Sequence, residues 1–208
     1  MWDKYQKTLN SETSFSGIGL HSGIKVDVTL IPGNSNSGIV FKRIDLEKDN
    51  EIVANFKNVS SAKLCTKIEN NHGVSVSTIE HLLAAFYVCG IDNIIVNLNG
   101  PEVPIMDGSA KEFVKIINEI GLKTLEGKRK FVRVKKSVEL KKEDGRSISV
   151  KPSSQTFDVK FTLNYKKNPL IKTQVNKINF AEKNLEDIVD ARTFCLYEDI
   201  EMIKSMGL

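Results

Sequence analysis

The chain has 208 residues, of which 40% are hydrophobic and 27% charged, and carries a formal net charge of +4. That length suits one large domain or two small ones and a core that needs no staples. The apolar share excludes disorder, and 13 glycines with 5 prolines exclude a collagen-like chain. No apolar run approaches the ~18–20 residues of a membrane helix. The opening Met1-Trp2-Asp3-Lys4-Tyr5-Gln6-Lys7 lacks the apolar segment of a secretory signal. Cys65, Cys89 and Cys195 are odd in number and form no C-x-x-C pair, so reduced thiols and a cytoplasmic location are expected. The mild charge makes no case for a nucleic-acid partner.

Ser14 to Leu30 reads as two strands around glycine turns, because Val26, Val28 and Leu30 alternate with Asp27 and Thr29. A loop through Pro32-Gly33 leads to a strand at Ile39-Val40-Phe41. Ser77-Thr78-Ile79-Glu80 has the S-x-x-E form of a capping box. Ile79, Leu82, Leu83 and Phe86 then recur at helical spacing, and Gly90 supplies the stop. A strand at Ile94–Leu98, a turn at Gly100–Pro104 and a second helix from about Ser109 to Ile120 follow. The polar stretch Gly121 to Lys130 is expected to be a linker.

What comes next resembles the first part starting again. Phe131 through Leu140 reads as a strand, Asp144-Gly145 as a hairpin turn, and Ile148 and Val150 as its return strand. Phe157–Leu163 alternates as another strand. Pro152, Ile148, Val150 and Phe161 stand at one offset from Pro32, Val28, Leu30 and Phe41. Helical stretches are expected at about Ala181–Val189 and Leu196–Met206. The fold class is therefore α+β, built from two related halves, 1–125 and 126–208. The second is incomplete, because it has no counterpart of the strand Ile94–Leu98 or of the helix after it. Such a half would leave an open edge and an exposed apolar face.

Chemistry-bearing residues are few. The histidines are His21, His72 and His81, and no H-E-x-x-H, phosphate loop, dinucleotide fingerprint or G-x-S-x-G elbow occurs. Glu80-His81 admits two readings. In one, Glu80 closes the capping box and His81 is an ordinary first-turn residue. In the other, His81 ligates zinc and Glu80 deprotonates the metal-bound water, although a hydrolytic zinc wants three protein ligands. His21 reads as surface-exposed at a strand end or turn, and His72 as a turn residue rather than a ligand. Met106-Asp107-Gly108-Ser109 reads as a turn in which Asp107 or Ser109 caps the next helix. Arg192-Thr193-Phe194 reads as a short buried strand whose hydroxyl could also donate to a developing oxyanion. The basic run Lys128-Arg129-Lys130, with Arg133, Lys135 and Lys136, reads as a solvated face, with an anionic substrate or a membrane surface as the alternative.

Several blocks together resemble the zinc-dependent UDP-3-O-acyl-N-acetylglucosamine deacetylases of lipid A biosynthesis. They are Gly17-Ile18-Gly19-Leu20-His21-Ser22-Gly23, Gly38 to Leu46, Ser77-Thr78-Ile79-Glu80-His81-Leu82 and Gly90-Ile91-Asp92-Asn93. Pro104-Ile105-Met106-Asp107-Gly108-Ser109-Ala110 and Ala191-Arg192-Thr193-Phe194 complete the set. The resemblance implies a hydrolase that removes the N-acetyl group from UDP-3-O-acyl-N-acetylglucosamine and releases acetate. It implies that His81 is a zinc ligand, Glu80 the general base and Thr193 the oxyanion donor. It places Leu20, Leu64, Cys65 and Phe194 along the substrate cleft, His21 near the metal, and Tyr165 near the uridine. The family pattern also expects a further stretch with a histidine and an aspartate as the other zinc ligands, and a later general-acid histidine. None of these has a position among the 208 residues. The resemblance thus implies a C-terminally truncated fragment with an incomplete zinc site, inactive alone, with a separate chain carrying the missing part as a candidate partner. The alternative is a catalytically dead module that binds a nucleotide-sugar or a partner.

Overall fold

The computed structural model describes residues 3–154, 157–166, 168–180, 185–197, 200 and 204–205. The chain divides into two compact units, Trp2–Arg129 together with Glu186–Leu208, and Lys130–Leu185. This division differs from a boundary at residue 125, and it groups the last residues with the first unit.

In the larger unit, β1 (Tyr5–Leu9) and β2 (Thr13–Ile18) lead to β3 (Lys25–Pro32), β4 (Ile39–Arg43) and β5 (Glu51–Val53). Three short strands follow, β6 (Val59–Ser61), β7 (Lys67–Glu69) and β8 (Ser75–Val76), paired in that order. Helix α1 spans Glu80–Cys89, β9 Ile94–Leu98, α2 Lys111–Ile120 and β10 Leu122–Lys128. The main sheet has the order β2-β3-β9-β4-β5, with β4 and β9 parallel and the other pairs antiparallel. Val26, Val28 and Leu30 point inward from β3, as the alternation requires, and meet Phe41, Val96 and Leu98 from neighbouring strands. Leu82 and Phe86 of α1 and Phe113 and Ile117 of α2 complete that fully buried core, so one helical layer covers one face of the sheet. Gly90 ends α1 in the left-handed conformation at φ 77, its N–H donating to the Phe86 and Tyr87 carbonyls.

The smaller unit holds two hairpins, β11 (Val138–Lys141) with β12 (Ser147–Val150) and β13 (Asp158–Tyr165) with β14 (Lys172–Asn179). Gly145, at φ 85, makes the expected turn of the first hairpin. Architecture and element content are α+β, as expected.

Three local expectations are corrected. The stretch Gly121 to Lys130 is no linker, because β10 pairs antiparallel with β1 from Leu9↔Leu122 to Tyr5↔Lys128. Its partner lies at the far end of the chain, where local composition cannot reveal it. Phe131–Ser137 is not a strand, and β11 begins at Val138. Arg129 departs from the solvated basic run: its guanidinium grips Asp92 (2.6 and 2.8 Å) and donates to the Gly90 carbonyl (2.7 Å), with the side chain only 8% exposed. It thereby satisfies a carbonyl just past the C-terminus of α1. Of the helical stretch expected at 181–189, α3 (Glu186–Val189) is present, while 181–184 lie outside the described residues. Much of the stretch 196–206 also lies outside them, although Tyr197, Ile200, Lys204 and Ser205 are helical.

Candidate active site

The capping box does not form. Ile79, not Ser77, stands at the N-cap of α1, in helical conformation and with no side-chain cap bond. Ser77 is taken up elsewhere: its N–H donates to the Pro101 carbonyl (3.0 Å), and its carbonyl accepts from Val103 N–H (3.0 Å). Thr78 then turns the chain with φ 56, a left-handed conformation rare for a β-branched residue, and α1 starts two residues later. The Glu80 carboxylate is therefore free of the cap. Its Oε2 accepts from the Thr66 backbone N–H at 3.0 Å, and Ile79 N–H returns a 3.4 Å bond to the Thr66 carbonyl. This pair of bonds holds the loop bearing Leu64 and Cys65 beside the foot of α1. Leu64 is half-exposed in the left-handed region at φ 66, and Cys65 is half-buried. His81 follows Glu80 as a half-buried residue in the first turn.

Leu20 and His21 lie in the loop joining β2 to β3. Leu20 is half-exposed. The exposed-turn reading of His21 is corrected: both ring nitrogens are shielded from solvent without a hydrogen-bond partner among the described residues. Buried polar atoms left open in this way ask for a functional explanation. His72 is the turn residue expected and is exposed, its N–H bonded to Asn70 Oδ1 (3.0 Å).

Glu102 went unnoticed in the sequence. It is 1% exposed, yet its carboxylate accepts from His21 N–H (3.0 and 3.2 Å), Ser22 N–H (2.8 Å) and the Thr78 hydroxyl (2.7 Å). Burial pushes its pKa up, but the donors from His21, Thr78 and Ser22 outweigh burial and hold it below the ordinary glutamate value. Its only local signal is a charged residue inside a Gly-Pro-Glu-Val-Pro turn, and its partners are remote in the chain.

Thr193 and Phe194 are exposed and irregular, so the short buried strand is corrected. Thr193 N–H donates to the Gly108 carbonyl (2.9 Å), and Arg192 reaches Asp107 (3.3 Å). Asp107 in turn accepts from the Ser109 hydroxyl (2.6 Å) and Ser109 N–H (3.0 Å), whose bonds hold its carboxyl below the usual range. Ser109 Oγ accepts from Lys111 N–H (3.1 Å) at the start of α2, so the expected turn is present, although Ala110 rather than Asp107 or Ser109 stands at the N-cap. Ile105 N–H donates to the Ile18 carbonyl (3.0 Å) at the end of β2.

The segment Pro101–Ser109 is thus a common spine. It pairs with Ser77 below Glu80 and His81, with Ile18 below Leu20 and His21, and with Thr193. Tyr165 lies in the other unit, at the end of β13 opposite Lys172. Gly90–Asn93 proves structural: Asp92 takes the Arg129 pair and Lys7 N–H (2.8 Å), and Asn93 joins Gly38 to Gln6.

The expected zinc centre would need three protein donors. No group of three or more His, Cys, Asp or Glu that could hold a metal stands together among the described residues. The described His, Cys, Asp and Glu side chains therefore do not form a complete zinc centre.

Comparison with known proteins identifies the family. The family described as LpxC, UDP-3-O-acyl N-acetylglycosamine deacetylase, matches residues 6–208. A UDP-3-O-acyl-N-acetylglucosamine deacetylase of Geotalea uraniireducens (strain Rf4) is 44% identical over 205 residues, covering 98% of this chain and 66% of that protein. Proteins of the same name from Haemophilus ducreyi and Citrifermentans bemidjiense are 40% and 42% identical, each over 98% of this chain and over 67% and 66% of their own length. The chain therefore spans about two thirds of the length of the curated relatives it matches. With the family matched over nearly all of its residues, the chain belongs to the UDP-3-O-acyl N-acetylglycosamine deacetylases.

Proposed function

We propose that this chain supplies the general base, one metal ligand and one wall of the substrate cleft for hydrolysis of the N-acetyl group of UDP-3-O-acyl-N-acetylglucosamine. In lipid A biosynthesis, water would add to the acetyl carbonyl, the carbon–nitrogen bond would break, and acetate and a free amine would leave. Glu80 would take the proton of the attacking water through Oε1, since Oε2 is engaged by Thr66. The Thr193 hydroxyl would donate to the oxyanion, a contribution of about 10²–10³ in rate for such a donor. Leu20, Leu64, Cys65 and Phe194 would line the cleft, with His21 close to the reacting centre.

The observation that carries this reading is the common spine Pro101–Ser109, which gathers the segments bearing Glu80, His81, His21 and Thr193. His81 would supply one ligand to a zinc ion. In this reading its other ligands come from outside these 208 residues, on the same or a separate polypeptide. Three unpaired cysteines support a cytoplasmic location. The offset that aligns Val28 with Ile148 and Phe41 with Phe161 supports halves 1–125 and 126–208 related by duplication.

Two measurements on the 208-residue polypeptide test the reading. Calorimetry should show saturable binding of UDP-3-O-acyl-N-acetylglucosamine, weakened on Leu20→Asp. Metal analysis with an acetate-release assay should show less than stoichiometric zinc and background turnover. Absence of binding would overturn the cleft, and stoichiometric zinc with full turnover would overturn the ligand assignment.

A further inference from the structure

We propose that Glu102 is a positioning residue that locks the His21 loop and the foot of α1 into one register through a single buried carboxylate. The inference rests on reading Glu80 and His81 as the chemical groups of the site, and it adds what aims them.

The carboxylate has two sets of clients. From the β2–β3 loop, His21 and Ser22 donate their backbone N–H groups; from the segment before α1, Thr78 donates its hydroxyl. Both oxygens are used, so neither arm can shift without uncovering a donor or an acceptor in a site closed to water. The loop is shaped for this contact. A Cβ on Gly19 would fall 2.5 Å from Glu102 Oε2 and 2.3 Å from Ser22 Oγ, so only glycine admits the carboxylate there.

The second arm is strained. Thr78 holds φ 56, which its branched Cβ disfavours, and the bond from its hydroxyl to Glu102 Oε1 secures that turn. Relaxation of Thr78 would redirect Ile79, Glu80 and His81, because α1 begins two residues beyond it. Glu102 itself stays fixed, since its backbone neighbour Val103 bonds to Ser77. The carboxylate is thereby common to a strained helix entry and to a loop whose imidazole is shielded and has no hydrogen-bond partner among the described residues.

Coupling between the two arms is the distinguishing consequence. A change on the Thr78 side should be felt at His21, although Thr78 and His21 touch through Glu102 and not directly in any bond described. The test uses the 208-residue polypeptide, histidine carbethoxylation read by mass spectrometry, and the amide resonances of His21 and Ser22. In the unaltered chain His21 should react about ten-fold more slowly than exposed His72, the internal control. Thr78→Val removes the hydroxyl and keeps the branch. It should speed His21 at least about three-fold and shift both amides, leaving His72 unchanged, whereas Thr78→Ser should behave as the unaltered chain.

Glu102→Leu should release both arms, and Glu102→Gln should rescue in part, because the Thr78 hydroxyl can turn to accept from an amide. If Glu102→Leu does not fold, the Thr78 pair alone decides. Unchanged His21 labelling and amide shifts in Thr78→Val overturn the proposal. So does an effect of equal size in Thr78→Ser. None of these readouts needs substrate or metal, so failed substrate binding with the coupling intact would sink the proposed function and leave the lock standing.

Discussion

The two units solve the problem of burying apolar side chains in opposite ways. Trp2–Arg129 with Glu186–Leu208 places Phe41, Phe86, Phe113 and Leu30 wholly out of solvent between a five-stranded sheet and two helices. Lys130–Leu185 has no buried residue among those described, and Leu140, Ile148, Phe161 and Val175 stand more than half-exposed on its hairpins. Hairpin register can be written by local turn chemistry, as Asp144-Gly145 shows, but two strands alone are marginal in water. The site segments are held by the packed unit, where rigidity is available to hold a strained entry such as Thr78.

The sharpest way to break this comparison is a matched truncation. Phe86→Ala in α1 should cost about 3–5 kcal/mol in urea unfolding. Phe161→Ala on β13 should cost less than about 1 kcal/mol, because an exposed ring loses little on removal. Equal costs would contradict the difference between the units. Next in size is Arg129→Ala, which strands the Asp92 carboxylate and should cost about 3 kcal/mol in the same assay. A cost near zero would show that the pair does not tie β10 to the end of α1.

Acid should act on the packed unit through Glu102. Its pKa is lowered in the fold, so its contribution is present above the ordinary value of 4.5 and is lost as pH falls below it. Glu102→Gln should flatten the fall in stability on the acid side of pH 4.5, read as melting temperature against pH. An unaltered slope would contradict the ionised assignment. The smallest effect belongs to the hairpin unit. Arg146 donates to Asp144 at 2.8 Å and holds its carboxyl down at about 2. Asp144 is solvent-exposed, so Asp144→Asn should leave the unfolding curve unchanged.

Much of the packed unit was legible because its signals are local. Ile79, Leu82 and Phe86 recur at helical spacing, Gly90 stops α1, and Val26, Val28 and Leu30 alternate as a half-buried strand should. The failures share a cause. Strand β10 reads as a polar connection until β1 is known to lie beside it. The capping-box spelling of Ser77–Glu80 is overridden by the pairing of Ser77 with Pro101 and Val103 and by the left-handed turn at Thr78. Glu102 could not be singled out, since its partners at His21, Ser22 and Thr78 come together only when the chain folds. Glu80, His81 and Thr193 were nominated by their chemistry and by family resemblance, and the fold adds the spine that joins their segments.

The central claim is that segments far apart in the chain form one cleft for an acylated nucleotide-sugar. Titrating UDP-3-O-acyl-N-acetylglucosamine into the isotope-labelled polypeptide and mapping shift changes tests it most directly. The account predicts perturbations concentrated at Leu20, His21, Leu64, Cys65, Glu80, His81, Thr193 and Phe194. Perturbations scattered over the surface, or confined to the hairpins between Val138 and Asn179, would contradict it.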